Sequence, residues 1–527
     1  MMTMTDKHNK DLILTIDNGT QSVRALLFNL SGELVAKSRL ELEPYFSTQP
    51  GWAEQEADYF WQMLGQCCQA LWQQAEVIKQ GYQQRVMAVT VTTQRGTVVN
   101  LDGQGKPLRP AILWLDQRLC QQNKAMPWYW RLAFAVLGQS KVIDYFRRKA
   151  QANWLAQNEP KVWQNTNKFL LLSGFFTHRL TGQYKDSVGS IVGYLPFDYK
   201  KQAWASDWDW KWQALPIKRT MLPSLVKPGE LLGEITEQAA QHTGICVGTQ
   251  LIASASDKAC EVLGSGCIEP DTASLSYGTT ATINTNNASY VEPQAFIPPY
   301  PSAMPDHFNS EVMIYRGFWM VNWFKQEFGQ NEIEQGRALG VSPESLFDQL
   351  VAQVPPGSMG LMLQPYWSPG LKNLEAKGAI LGFGDVHTRA HIYRSILEGL
   401  AYALREGKES LAKRQKCKIT RLIVSGGGSQ SDAALQLTAD IFNLPAHRPH
   451  TYETSGLGAA INVAVGCGHY PSYAQAVEHM TRIEQSFLPN QANVQLYNKL
   501  YQQVYRKMYK QLKPIYQDIK KITGYPE

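Results

Sequence analysis

The sequence predicts an α/β protein of two domains built on one plan, and three observations carry that expectation. Its 527 residues, 44% of them hydrophobic, are enough for two or three separate cores. It opens with three short strands joined by tight turns, followed by a helix and a β-branched strand. About half a chain later, a strand, a Gly-Thr turn and a return strand repeat that beginning.

The elements follow in order. Residues 11–17 (DLILTID) read as a strand, Asn18-Gly19-Thr20 as a tight turn, residues 22–29 (SVRALLFN) as a second strand and residues 33–40 (ELVAKSRL) as a third after Ser31-Gly32, which together make an antiparallel meander. From Ala57 to about Gln84 apolar residues fall at helical spacing, and Val86 to Thr93 (VMAVTVTT) returns to a buried-strand run. In the second half, Thr272 to Gly278 is a strand, Gly278-Thr279 a turn and Ala281 to Asn284 the start of the return strand. His387 to Leu411 then reads as a long helix, Arg421 to Ser425 as a short strand and Asp432 to Phe442 as another helix. Gly-Thr turns after strands are common, so this pattern alone leaves duplication and coincidence both open. The domains expected are 1–258, with a helical excursion at about 119–165, and 259–485, followed by a C-terminal helix at 486–527.

The excursion is rich in Trp and basic residues (PWYWRLAF, then YFRRK). It reads either as helices covering a binding cleft or as a membrane-surface segment, and its charges are not sorted onto one polar face. Its apolar core, Ala125 to Gly138, is shorter than the roughly 20 residues that span a bilayer and carries Arg131. Apolar and aromatic residues between Val494 and Tyr509 recur at three and four spacing, as in a docked terminal helix. The polar start, MMTMTDKHNKD, lacks the apolar centre of a secretory signal. Lys and Arg number 51 against 45 Asp and Glu, scattered without a basic stripe, so nucleic acid is not an expected partner and neither is a membrane. Eight cysteines without a C-x-x-C pair read as reduced thiols of a cytoplasmic protein.

A phosphoryl-transfer enzyme must hold a triphosphate with Mg²⁺ and orient a nucleophilic oxygen in line with the γ-phosphorus. In Asp17-Asn18-Gly19-Thr20-Gln21-Ser22-Val23-Arg24, Gly19 permits close backbone approach, hydroxyls and an amide can donate to phosphate, Arg24 supplies charge, and Asp17 is placed to hold a hydrated Mg²⁺. The same residues also suit an ordinary hairpin turn. Tyr277-Gly278-Thr279-Thr280 repeats the arrangement. Asp257, in Ser254-Ala255-Ser256-Asp257-Lys258-Ala259-Cys260, follows an apolar strand and precedes a helix, which suits either a catalytic base or an N-cap. Ser425 to Asp432 (SGGGSQSD) lets a flat ligand approach the backbone at a helix N-terminus, although Ser431 takes the third glycine position of a dinucleotide fingerprint. No G-x-x-x-x-G-K-[ST], H-R-D or D-F-G set occurs. His387 and His391, four apart on a helix, lack the glutamate and third ligand of a zinc site and read as surface histidines.

With these loops in order, the chain resembles the FGGY carbohydrate kinases over nearly its whole length, within the larger actin, Hsp70 and sugar kinase fold. The segments that carry the resemblance are IDNGTQSVRALLFNLSGELV (16–35), PGWAEQ (50–55), TTQRGTVV (92–99), LWLDQR (113–118), SDKACEVLGSG (256–266), SYGTT (276–280), RSILEGLAYALRE (394–406), SGGGSQSDAALQLTADIFNLP (425–445) and ETSGLGAA (453–460). The resemblance implies two duplicated ribonuclease H-like, actin-like ATPase domains with a catalytic cleft between them that closes on sugar and ATP. It implies that Thr20, Gln21, Ser22 and Arg24 line a first phosphate loop, Gly278 and Thr279 a second, and Gly427, Gly428 and Ser431 the adenosine site, with Asp257 as base. Sugar contacts are implied at Gln94, Arg95, Gly96, Trp114, Asp116 and Lys258. A homodimer is the candidate assembly.

Two positions depart from the family pattern. Glycerol kinases have Arg-Glu after the glutamine and xylulokinases usually Met-His-Gly, whereas this chain has Arg95-Gly96-Thr97. Losing the glutamate removes an acceptor for a polyol hydroxyl, and Arg95 keeps a donor for a ketose oxygen. Lys258 replaces the usual Gln or Asn. Beside Asp257 it is expected to lower the carboxyl pKa, or else to contact substrate or phosphate. The activity expected is ATP-dependent phosphorylation of a sugar, a ketopentose such as xylulose first, with glycerol or another polyol as the alternative. The non-enzymatic alternative is a ligand-responsive ATP-binding protein.

Overall fold

The structure, a computed structural model, describes residues 10–121, 126–294, 297–341, 343–367 and 376–524. The readings made on residues 1–9, on Ala125 and on residues 525–527 lie outside the described residues. The chain forms two units that are discontinuous in sequence. The first comprises Met1–Gly264, Ala288–Asn309 and Thr454–Thr481, and the second Ser265–Asn287, Ser310–Glu453 and Arg482–Glu527.

In the first unit the meander forms as the turn chemistry dictates. Leu12–Asn18 pairs antiparallel with Ser22–Asn29, which pairs antiparallel with Leu34–Glu41. On its other edge Leu12–Asn18 runs parallel to Val86–Thr93, which runs parallel to Gln250–Ile252, and Leu231–Glu234 closes the sheet antiparallel. Every residue of Leu12–Asn18 is buried, which is why it reads as a continuous apolar run instead of alternating. The helical stretch after Ala57 resolves into Ala57–Trp72, Ala75–Lys79 and a 3₁₀ turn at Tyr82–Arg85. The excursion is four short helices, Trp128–Val136, Ser140–Lys149, Gln151–Asn158 and Pro160–Asn165. Its inner aromatics meet Trp210, with Phe134 at 5.4 Å and Phe146 at 5.2 Å between ring centroids.

The second unit repeats the sheet. Thr272–Tyr277 pairs antiparallel with Ala281–Asn287, and Phe308–Ile314 lies next along the edge. On the other side Arg421–Ser425 and then Ala446–Pro449 run parallel, and Ile483–Phe487 closes antiparallel. In both sheets an antiparallel pair is followed by two parallel strands and a closing antiparallel one, so the recurrence of strand, Gly-Thr and strand marks a repeated domain. The long helix runs Arg389–Gln415, and the terminal segment is Gln491–Leu500, a π-helical turn at Tyr501–Tyr505 and Arg506–Thr523. Among the described residues no helix is long and apolar enough to cross a membrane.

Candidate active site

Asp257 is delivered by a segment that β-strand threonines lace into place. The Thr90 hydroxyl donates to Ile252 O at 2.8 Å, Thr92 to Ala255 O at 2.9 Å, and Ser254 returns a bond to Val91 O at 2.7 Å. On the opposite side Ser256 N–H donates to Gly189 O at 3.1 Å, and a Cβ on Gly189 would come within 2.6 Å of the Ala255 Cβ. Asp257 is the first residue of the helix Asp257–Gly264. The cap position belongs to Ser256, whose carbonyl accepts the Cys260 N–H at 2.9 Å, while Asp257 Oδ1 accepts only the adjacent Lys258 N–H at 2.8 Å. This helix is braced by backbone contact with Thr454–Gly466: a Cβ on Gly458 would lie 1.9 Å from Cys260 O, and one on Gly264 would lie 2.0 Å from Thr454 O. Gly458 of ETSGLGAA thus serves helix packing, while a Cβ on Gly456 would meet the Leu26 side chain of the strand Ser22–Asn29 at 2.3 Å.

Burial pushes the Asp257 carboxyl above the ordinary aspartate range; the Lys258 and Arg95 charges and the Lys258 N–H pull it down by less, and Glu261 adds to the rise. The lowering expected from Lys258 is present but outweighed. Lys258 Nζ instead forms an ion pair with Glu261 Oε2 at 2.7 Å, which spreads its charge over two carboxylates.

Gln94, Arg95 and Gly96 link the buried strand Val86–Thr93 to Val98–Leu101. Gln94 N–H donates to Asn18 O at 2.9 Å, and its Oε1 accepts from the Thr20 hydroxyl at 3.0 Å. That hydroxyl also accepts from Trp114 Nε1 at 2.9 Å. Gly96 has φ +69°, and a Cβ there would sit 3.5 Å from the Trp114 Cβ, so glycine suits both its backbone and its neighbour. The guanidinium of Arg95 stands 5.1 Å over the ring of Tyr300.

Trp114 stands on a buttress built by two motifs of the sequence. Asp116 Oδ2 accepts the Ala53 N–H at 2.7 Å, both its oxygens bond Arg118, and Arg118 also pairs with Glu54 at 2.9 Å. The Arg118 guanidinium lies between Trp52 (4.0 Å) and Trp154 (4.6 Å). Asp116 therefore stands within the machinery that fixes Trp114, with both carboxylate oxygens engaged.

In the segment from Asp17 to Arg24, Asp17 is fully buried and pairs with Arg24 at 2.7 Å. Gly19 N–H bonds Ser22 O at 3.0 Å, and a Cβ on Gly19 would meet nothing nearer than 3.6 Å. Gln21 O accepts the Leu42 N–H at 2.8 Å. The fully buried Asn18 side-chain amide has no hydrogen-bond partner among the described residues. Among the described residues no cluster of three or more His, Cys, Asp or Glu suits a metal. Asp17 offers a single buried carboxylate there, which fits a Mg²⁺ that keeps most of its water shell.

In the second unit, Phe318 N–H donates to Gly278 O at 3.0 Å, Trp319 N–H to Thr279 O at 3.3 Å, and the Tyr277 ring stacks on Phe318 at 4.5 Å. Gly426 has φ +82°. A Cβ on Gly428 would strike the Phe318 ring at 2.4 Å, whereas one on Gly427 would meet nothing within 4 Å. Gly427 therefore leaves an open face and Gly428 a packing contact. Ser431 caps the helix Asp432–Phe442 by accepting the Ala434 N–H at 3.0 Å and donates to Asp348 Oδ1 at 2.5 Å. Asp348, which sequence reasoning passed over, places a carboxylate at that helix N-terminus; nothing local to it signals the role. Tyr300 was likewise passed over, since only the folded chain brings it to Arg95. His387 and His391 each use Nδ1 to accept a backbone N–H, from Gly384 at 2.8 Å and Thr388 at 3.1 Å, as turn and cap residues do.

Comparison with known proteins matches residues 12–264 to the N-terminal domain, and residues 273–467 to the C-terminal domain, of the FGGY family of carbohydrate kinases. An uncharacterized sugar kinase of Escherichia coli strain K12, YgcE, is 31% identical over 516 residues, covering 98% of this chain and 94% of that protein. A xylulose kinase of Lactococcus lactis is 27% identical over 516 residues, covering 97% of each chain. Among solved structures, a gluconate kinase from Lactobacillus acidophilus shares the fold at a TM-score of 0.80 and 21% identity, covering 96% of this chain and 99% of that one.

Proposed function

This chain belongs to the FGGY family of carbohydrate kinases and is therefore a phosphotransferase acting on an alcohol group, and from that premise we propose that it transfers the γ-phosphoryl group of ATP to a hydroxyl of a ketose sugar with Asp257 as base. The observation that carries this reading is the Asp257 carboxyl, fixed at the first residue of a braced helix, largely buried, and within electrostatic reach of Arg95. A carboxyl raised by burial but kept in check by two cations is suited to take a proton near neutral pH. In the step, the substrate oxygen forms a bond to the γ-phosphorus, the bond from that phosphorus to the bridging oxygen breaks, ADP leaves, and the hydroxyl proton passes to Asp257. Mg²⁺ travelling with ATP supplies charge neutralisation on the phosphates; Asp17 is the residue that would meet its water shell. Thr20, Gln21, Ser22 and Arg24 in the first unit, and Gly278, Thr279, Gly427, Gly428 and Ser431 in the second, are the proposed nucleotide-side residues. Gln94, Arg95, Gly96, Trp114, Asp116 and Lys258 are the proposed sugar side.

A ketose is favoured because Arg95 offers fixed N–H donors to a carbonyl or hydroxyl oxygen where a glutamate acceptor is missing, and because the Lactococcus lactis relative is a xylulose kinase. A polyol is the second reading. We place the reaction in the cytoplasm, in keeping with eight free thiols. The test is ADP release with Mg·ATP across ketoses, aldoses and polyols, with Asp257→Asn beside the wild type. Stimulation by one compound, reduced roughly 10²- to 10⁴-fold in the variant, supports the base assignment. Bound ATP with no stimulated turnover points to the ligand-sensing alternative.

A further inference from the structure

Arg95 opens a segment, Arg95-Gly96-Thr97, that departs from the family pattern, and the structure supplies it with a support from far along the chain. The segment Ala288–Asn309 follows a strand of the second sheet yet belongs to the first unit. Within it Tyr300 is pinned by backbone pairing with Asn309. The Arg95 guanidinium lies over the Tyr300 ring at 5.1 Å, and Tyr300 meets the edge of Tyr199 at 6.0 Å and 61°. Tyr199 is buried away from ionisation, and its hydroxyl donates to Gly193 O at 3.2 Å. Gly193 lies near this turn: a Cβ built on it would come 3.9 Å from the Gly96 Cα. The tip of the Arg95 side chain is thus supported by Tyr300, which Tyr199 flanks in turn.

An arginine side chain left to itself loses rotamer entropy when a ligand immobilises it, and a guanidinium stacked beforehand has already lost part of it. We propose that Tyr300 is a positioning residue for sugar recognition, holding the Arg95 guanidinium beside Asp257 so that its N–H groups meet a substrate oxygen already oriented. This rests on the reading that Arg95 and Asp257 serve the sugar.

The test is steady-state kinetics on Tyr300→Leu, Tyr300→Phe, Arg95→Leu and the Tyr300→Leu/Arg95→Leu double variant, with Asp257→Asn alongside and melting temperatures for all. Tyr300→Leu is expected to raise the sugar KM roughly five- to thirtyfold, the range of a partly desolvated cation–π contact, with the ATP KM unchanged. The acid limb of kcat/KM should move to higher pH, because a guanidinium released from its stack counters the burial of Asp257 less well. Lys258 and Glu261, the other charged groups acting on that carboxyl, are untouched in these variants. Tyr300→Phe keeps the ring face and should behave as wild type. In the double variant the Tyr300 change should add nothing to the Arg95 change. Additive effects, or a Tyr300→Phe as impaired as Tyr300→Leu, overturn the proposal while an inactive Asp257→Asn leaves the kinase reading standing. A fully active Asp257→Asn overturns the base assignment on which the proposal rests.

Discussion

The indole N–H of Trp114 donates to the hydroxyl of Thr20 at 2.9 Å, and that hydroxyl donates onward to Gln94 Oε1 at 3.0 Å. One hydroxyl therefore ties the loop proposed for phosphate to two of the residues proposed for sugar. Trp114→Phe keeps the ring and loses one hydrogen bond worth about 1 kcal/mol, or about fivefold in sugar KM, with the ATP KM unmoved. Thr20→Val removes both bonds and should raise the KM of sugar and ATP together. Kinetics with each substrate varied in turn distinguish the two.

The pH dependence of turnover follows from the burial of Asp257. A base must be ionised to accept a proton, and burial raises this carboxyl's pKa, so activity should fall on acidification at a higher pH than an exposed aspartate would dictate. Lys258→Gln removes a charge that lowers that pKa and leaves Glu261, which raises it, without its ion pair. Its acid limb should therefore lie at higher pH than that of the wild type, as read from kcat/KM profiles.

Stability should carry a separate signature from Asp186. This carboxyl accepts from Ser173 Oγ and Ser187 N, both at 2.8 Å, yet burial raises its pKa from 3.8 to about 7. The native state holds a proton that the unfolded state gives up above pH 3.8, so this group's contribution to stability is lost as pH rises from about 4 to about 7. Asp186→Asn mimics the neutral form. Its stability relative to wild type should increase across that window by up to ~4 kcal/mol, the shift converted at 1.36 kcal/mol per unit. Denaturant melts at pH 4.5 and 7.5 provide the check; a difference that stays constant between them would remove Asp186 as the cause.

Neighbouring glycines of the SGGGSQSD loop should separate stability from nucleotide binding. Gly428→Ala forces a methyl onto the Phe318 ring at 2.4 Å and is expected to destabilise by roughly 1–3 kcal/mol, the usual cost of overpacking. Gly427→Ala meets no atom within 4 Å, so its melting temperature should match wild type while the ATP KM rises. Calorimetry and ATP kinetics on the pair test this; equal melting temperatures would refute the packing role of Gly428.

Local order was largely legible along the chain. Ser22–Asn29, Val86–Thr93, Arg421–Ser425 and Asp432–Phe442 stand where their residues place them, because turn glycines and hydrophobic periodicity act within a few residues. The helix from Ala57 was read as continuous but breaks after Trp72, where Gln73 closes the first helix and Gln74 opens the next in an extended conformation. Amphipathic spacing continues across such a break and hides it. Asp257 is legible as a carboxylate between strand and helix, whereas its place one residue past the cap shows only in the bond from Cys260 N–H to Ser256 O.

Contiguous motifs carry the α/β class, the family and the residue types available for phosphoryl transfer. The repeat of the sheet, and the state and surroundings of those residues, rest on strand pairing and packing between distant segments. Whether Lys258 or burial prevails at Asp257 depends on depth and on the Glu261 pair, and the engagement of both Asp116 oxygens depends on the Ala53 N–H and Arg118 coming against them. Tyr300 reaches Arg95 because a segment of the second half returns to the first unit. Charge, burial and ring contacts are sums over neighbours distant in sequence, and only folding brings those neighbours together.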